Sequence, residues 1–198
     1  MPLPQNVWDH DNLVKALKEN GIAVMPTDTL YGIVGKAENR EVVERIYAIR
    51  KRNPEKPCII LIGAISELEK FSFALSLEQK NTLKKYWSFD SAQDPRPEPV
   101  SVILDCPDEK FAYLHRGTKT LAFRVPALPS LRALLLKVGP LVAPSANPEG
   151  LPPAQNISQA KGYFGDSVDM YIDAGELRGK ASKIIRLHKD GSGSIIRG

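Results

Sequence analysis

Apolar positions along this chain alternate between helical spacing and short continuous runs. Leu13, Ala16 and Leu17 recur at helical spacing over residues 9–20, with Asp9 or Asp11 placed to cap and Gly21 placed to stop. Val42, Val43, Ile46 and Ile49 give a second helix over 40–50. Further helices are predicted over 76–87, with Ser76 as N-cap and Glu78 and Gln79 in the first turn, over 130–138 before Gly139 and Pro140, and over 158–164. A shorter helical turn is predicted over 66–71. Compact apolar runs at 22–25, 58–62, 100–104, 120–125, 141–143, 170–173, 183–187 and 194–197 read as strands. Strands and helices interleave without strict alternation. The pattern predicts a single α/β domain over 1–198, with a mixed parallel and antiparallel sheet flanked by helices. Residues 88–98 break it: two prolines with a third at Pro99, two aspartates and no periodicity predict a surface loop.

Composition narrows the class. The chain has 198 residues, 42% hydrophobic and 25% charged, as an ordinary globular domain has. Its apolar runs are too short to span a bilayer. The start, Met-Pro-Leu-Pro-Gln-Asn, has neither a basic region nor an apolar core, which predicts no secretion signal. Cys58 and Cys106 lie in strand-like surroundings without metal-ligand spacing or basic neighbours that would activate a thiolate, so both are expected to be reduced core residues of a cytoplasmic protein. Net charge is +4, from 27 basic and 23 acidic residues. That mild excess suits a nucleotide or RNA partner and equally suits a solvated surface.

The candidate chemistry sits where apolar runs end. Leu141-Val142-Ala143 runs straight into Pro144-Ser145-Ala146-Asn147, delivering Ser145 and Asn147 to a strand's C-terminal edge, where open α/β sheets bind ligands. Thr27, Asp28, Thr29 and Tyr31 follow another strand; their hydroxyls and carboxylate suit an amine, a hydroxyl or a hydrated Mg²⁺, or a local turn. Arg50, Lys51, Arg52 and Lys56 put four cations within seven residues, at a helix end and in a proline-stiffened loop. They suit phosphate, or a solvated cap opposing the helix dipole. Arg124 lies inside an apolar strand with Thr120 four residues before it on the same face. The run 175–182 resembles a P-loop but has the wrong glycine spacing. Gly191-Ser-Gly-Ser194 reads as a hairpin turn, and the three histidines are scattered without metal or triad spacing.

Taken in order, five segments resemble the YrdC-like threonylcarbamoyl-adenylate synthase family: P-T-D-T-L-Y-G at 26–32, R-K-R at 50–52 with Lys56-Pro57, T-L-A-F-R-V-P at 120–126, A-P-S-A-N at 143–147, and A-S-K-I-I-R at 181–186 with I-I-R-G at 195–198. The resemblance spans nearly the whole chain and implies a nucleotidyltransferase with a central cationic cavity. Such an enzyme makes threonylcarbamoyl-AMP and pyrophosphate from L-threonine, bicarbonate and ATP, with Mg²⁺ accompanying ATP and no tightly bound protein-ligated metal. The product feeds N6-threonylcarbamoyladenosine modification of tRNA through a downstream threonylcarbamoyl transferase complex. By position, Thr29, Arg124 and Ser182 would hold threonine. Arg50, Arg52, Lys56, Thr120, Ser145, Asn147 and Arg197 would hold ATP, with Arg52 and Lys56 stabilising phosphate charge; no general base is assigned. Arg50 stands where the family often has lysine, and Pro153 and Ala154 stand where relatives often have Ser or Thr. Relatives often run Trp-Pro-Gly-Pro directly into the next strand, whereas eleven residues separate Trp87 from Pro99 here. Two other readings are a double-stranded RNA or tRNA-binding module using the same basic cavity, and a carbamoyl-transfer accessory domain. The first needs only the cations. The lack of zinc-finger cysteines and of a further domain argues against the second.

Overall fold

The computed structural model describes residues 7–87 and 98–198. The predicted 88–98 loop lies, apart from the exposed Glu98, outside the described residues. Among the described residues nine strands form one sheet in the order β7-β1-β2-β6-β3-β5-β4-β8-β9. In chain order they are β1 (Ala23–Pro26), β2 (Tyr31–Lys36), β3 (Ile59–Leu61), β4 (Val100–Asp105), β5 (Thr120–Arg124), β6 (Leu141–Val142), β7 (Met170–Tyr171), β8 (Lys183–Leu187) and β9 (Gly193–Arg197). The sheet is mixed, as predicted. β1–β7, β3–β5 and β4–β8 pair parallel; β1–β2, β2–β6, β3–β6, β4–β5 and β8–β9 pair antiparallel.

Strand alternation divides the core into two. Val24, Ile33 and Ile60 point to one side, where they join Val42, Val43 and Ile46 of helix α2 (Arg40–Arg50). Their neighbours Ala23, Met25, Val34 and Leu61 point to the other. There they meet Leu13 and Leu17 of α1 (Asp11–Lys18) and Leu131, Leu134 and Leu135 of α5 (Pro129–Val138). Helices α3 (Leu77–Tyr86), α4 (Ala112–His115) and α6 (Ile157–Phe164) complete the set among the described residues.

Helix starts follow side-chain caps. Ser76 caps α3 in a full capping box with Gln79, as its spacing predicts. Asn39 caps α2 by accepting from Val42 N at 3.1 Å, and Asn156 caps α6. For α1 neither Asp9 nor Asp11 serves: the N-cap is His10, with no side-chain bond, and Asp11 lies in the first turn.

Two elements escape the sequence pattern. Strand β2 is one, and residues 109–115 are the other, a 3-10 turn (Glu109–Phe111) running into α4. In β2, Gly35 permits close packing, since a Cβ there would overlap Cγ1 of Val42 on α2.

Candidate active site

A cavity of about 300 Å³ is lined by parts of the chain from both ends of the sheet order. One wall is the β1–β2 turn, with Thr27, Thr29 and Tyr31; the opposite wall is Ser182, Ile184 and Arg197 of the β8–β9 region. Between them lie Pro57, Cys58 and Ile59 at the start of β3, Arg124 at the end of β5, and Ala143 to Ser145 after β6. Strands β2 and β8 are five steps apart, about 24 Å in a flat sheet at the usual ~4.8 Å spacing. The sheet must therefore curl for both to border one cavity. The closure is tight: a Cβ on Gly179 would overlap the carbonyl oxygen of Thr29.

The β1–β2 turn is fixed from within. Thr27 Oγ1 donates to Leu30 O at 2.7 Å and accepts from the amides of Thr29 and Leu30. This is the local turn chemistry that threonine offers, and it presents Thr29 to the cavity. Thr29 Oγ1 accepts from Arg124 Nη2 at 3.2 Å. Arg124 is buried, as is the side chain of Asp28, whose Oδ1 lies 3.0 Å from Arg124 Nη2. The Tyr31 hydroxyl donates to Gly175 O and accepts from Ala174 N, both at 2.8 Å, which ties down the segment leading to Ser182; burial raises its pKa above the usual 10.0.

The remaining groups are anchored by backbone. Arg52 Nε donates to Lys56 O at 3.1 Å and Nη2 to Pro57 O at 3.0 Å. Arg197 Nε and Nη2 both donate to Ser182 O, at 3.2 and 2.7 Å. Each guanidinium is thus oriented by carbonyls, while its Nη1 has no partner among the described residues. Donors held in this way need little reorganisation on meeting an anion. The Ser182 hydroxyl pairs with that of Ser101 at 2.8 Å, both buried.

Four of the sequence-based site residues lie off this cavity. Arg50 does not line the cavity. It is buried, donating from Nε to Asn147 O at 2.9 Å and from Nη2 to Asn147 Oδ1 at 3.2 Å and Ser145 Oγ at 3.4 Å. Burial, helped by the nearby Arg52 charge, lowers its pKa to about 10. Asn147 is also structural. Its Oδ1 accepts from Arg50 and from Ser145 Oγ (2.6 Å), and its Nδ2 donates to Pro148 O and Leu151 O, so its whole bonding capacity is used within the protein. Lys56 points outward to Glu149, 2.5 Å from Nζ, and only its carbonyl serves the site by holding Arg52. Thr120 shares a strand face with Arg124 but sits at the other end of β5, about 13 Å away at ~3.3 Å per residue. Its hydroxyl pairs with that of Thr118 at 3.1 Å. Thr29, Arg52, Arg124, Ser145, Ser182 and Arg197 do converge.

A model of the Sua5/YciO/YrdC family, described as "Telomere recombination", matches residues 15–198. The chain belongs to that family. Among Sua5/YciO/YrdC relatives, "Threonylcarbamoyl-AMP synthase" of Bacillus subtilis is 34% identical over 138 residues, covering 69% of this chain and 37% of the relative. "Putative threonylcarbamoyl-AMP synthase" of Mycobacterium tuberculosis is 30% identical over 173 residues, 87% of this chain and 75% of the relative. "Threonylcarbamoyl-AMP synthase" of Halorhodospira halophila is 31% identical, with 79% and 78% covered. Among solved structures, Pyrococcus abyssi Sua5 carrying H234A/Y235A superposes with a TM-score of 0.80 at 26% identity, over 96% of this chain and 53% of that one. The same Sua5 has been solved with L-threonine bound, with a TM-score of 0.79 at 24% identity. The chain therefore spans about a third of the Bacillus relative and about half of the Pyrococcus one.

Three features of this Sua5/YciO/YrdC site lie outside the sequence-based candidate set. Cys58, expected in the core, is buried and free yet borders the cavity. Ser101 braces Ser182 from the middle of an apolar strand, where a single serine carries no signal. Glu149 fastens the basic loop by accepting from Asn53 N and Lys56 Nζ. Those bonds, Lys56 first, hold the Glu149 carboxyl below its usual 4.5. A depressed carboxyl contributes to stability above its unfolded pKa and loses that contribution as pH falls through the folded one. The Asn53 amide resonance is therefore expected to titrate with a midpoint below 4.5, read by NMR, and to stop titrating in Glu149→Gln.

Proposed function

We propose that this chain is an L-threonylcarbamoyladenylate synthase, forming threonylcarbamoyl-AMP and pyrophosphate from L-threonine, bicarbonate and ATP to supply N6-threonylcarbamoyladenosine modification of tRNA. The observation that carries the reading is the convergence of Thr29, Arg124 and Ser182 with Arg52, Ser145 and Arg197 on one cavity. Its support from outside is the name shared by relatives about 30% identical.

The chemistry is adenylation by positioning. The neutral amine of threonine attacks the carbon of bicarbonate, and loss of water leaves a carbamate. A carbamate oxygen then attacks the α-phosphorus of ATP, and the bond to the bridging oxygen breaks to release pyrophosphate. Arg124 and Thr29 would hold the amino acid. Arg52 and Arg197, pre-oriented by carbonyls, would neutralise charge on the phosphates as it shifts to the leaving group, with Ser145 adding a hydroxyl. No side chain is assigned as general base. Mg²⁺ would arrive with ATP.

Incubation with ATP, labelled bicarbonate and single amino acids tests the reading. Threonine-dependent pyrophosphate release is expected; no turnover with any amino acid would overturn it. The RNA-binding alternative is less well supported. A 300 Å³ cavity suits small molecules, not a duplex, and an RNA binder has no use for the Thr29 and Ser182 hydroxyls. No helix among the described residues is long and apolar enough to cross a membrane. Two buried free cysteines accord with a reducing compartment, the cytoplasm.

A further inference from the structure

The arginines of the cavity differ in how their charge is met. Neither Arg52 nor Arg197 has a carboxylate within ion-pair distance among the described residues, so each presents net positive charge. Arg124 is compensated. Asp28 Oδ1 lies 3.0 Å from its Nη2, and the two side chains are only 4% and 3% exposed, so solvent does not screen the pair.

This pair is not built as a structural ion pair should be. Neither carboxylate oxygen of Asp28 has a hydrogen-bond partner with good geometry, and neither does Arg124 Nε. Burying opposite charges so incompletely satisfied is a poor source of stability. Nor is Asp28 free to drift into better geometry: its turn is pinned on both sides by the bonds of Thr27 Oγ1 to Leu30 O and to the amides of Thr29 and Leu30. The same Arg124 Nη2 also meets Thr29 Oγ1 at 3.2 Å.

We propose that Asp28 is a positioning residue for amino-acid recognition, fixing the Arg124 guanidinium against the Thr29 wall so that its remaining donors meet an α-carboxylate. A guanidinium held in one orientation meets a single carboxylate with little reorganisation. The uncompensated Arg52 and Arg197 then define the end for the polyanionic phosphates. Asp28 acts through Arg124 and is not among the residues lining the cavity.

The inference rests on the reading that the site takes threonine, and calorimetry separates the two. L-threonine, L-threoninamide and a non-hydrolysable ATP analogue are titrated into wild type, Asp28→Asn and Asp28→Glu, with melting temperatures recorded. Threoninamide lacks the carboxylate that Arg124 reads. Asp28→Asn is expected to weaken threonine about tenfold or more, the scale of one charged hydrogen bond, while threoninamide and the nucleotide analogue change little. The preference for threonine over threoninamide thus collapses. Asp28→Glu, which keeps the charge, should retain most of it. An unchanged preference in Asp28→Asn overturns the inference alone, as does an equal loss of all three ligands. A wild-type protein that binds no threonine overturns the threonine reading itself. If Asp28→Asn does not fold, Asp28→Asn/Arg124→Gln removes both charges. A preference matching that of Arg124→Gln supports action through Arg124, and a further loss overturns it.

Discussion

Arg52→Ala is expected to reduce nucleotide affinity about 100-fold, or ~2.7 kcal/mol, and to leave the fold intact. The magnitude corresponds to one or two charge-assisted hydrogen bonds to phosphate. The selectivity follows from how Arg52 is held. Its side chain is only half-buried, and its protein bonds end on the carbonyls of Lys56 and Pro57 in a surface loop. Glu149 and the Tyr47 hydroxyl, which donates to Lys56 O at 2.7 Å, hold that loop without it. Truncation therefore removes the ligand contact and little else. Titration with a non-hydrolysable ATP analogue and a thermal melt check both halves. Wild-type affinity in Arg52→Ala would mean that the basic loop is a solvated helix cap.

Arg50→Ala should do the reverse, unsettling the fold first and the chemistry only through it. The buried guanidinium gives three hydrogen bonds to the turn after β6, and its loss leaves the Asn147 carbonyl without its donor and Ser145 without its brace. A destabilisation of about 3 kcal/mol is expected in denaturant unfolding, the range for breaking a buried network around a charge. The sign of its pH dependence is fixed by the lowered pKa. A base whose folded pKa falls to about 10 binds fewer protons when folded only above that value, so its charge carries a constant penalty at lower pH. The difference between wild type and Arg50→Ala should thus be flat between about pH 6 and 9. Arg50→Lys keeps a cation but one donor direction fewer, and should lose less than the alanine variant.

These two neighbours show what sequence can and cannot tell. Arg50 and Arg52 look alike in the chain: both are cations at the end of one helix, both match the same motif. Their difference is rotational. Arg50 closes α2 on its buried face, and Lys51 then takes a left-handed turn (φ 49°) that sends Arg52 toward the cavity. A linear pattern carries the charge and not the turn. Asn147 and Thr120 also lie off the cavity. A polar residue at a strand end satisfies its own loop as readily as a ligand, and residues on one strand face can lie a full strand apart. Helix α2 and the capping box of α3 were legible because periodicity and caps are local properties. Strand β2 was not, because its two glycines read as a loop until the packing of α2 against Gly35 is known. Asp28 was visible as a carboxylate in a threonine-rich turn, but its partner Arg124 is 96 positions away, and only the curled sheet brings them together.

That curl joins distant parts of the chain. The cavity exists only when residues 27–32 and 181–197 face each other, so it is among the most non-local features of the fold. A ligand touching both walls acts as a clasp between the first thirty residues and the last twenty. It binds only the fully closed chain and so suppresses excursions in which the β8–β9 hairpin peels away, in proportion to its saturation. The same contact that selects a substrate thus also proofreads the architecture, and a half-wound chain, however well its helices are formed, has nothing with which to hold one.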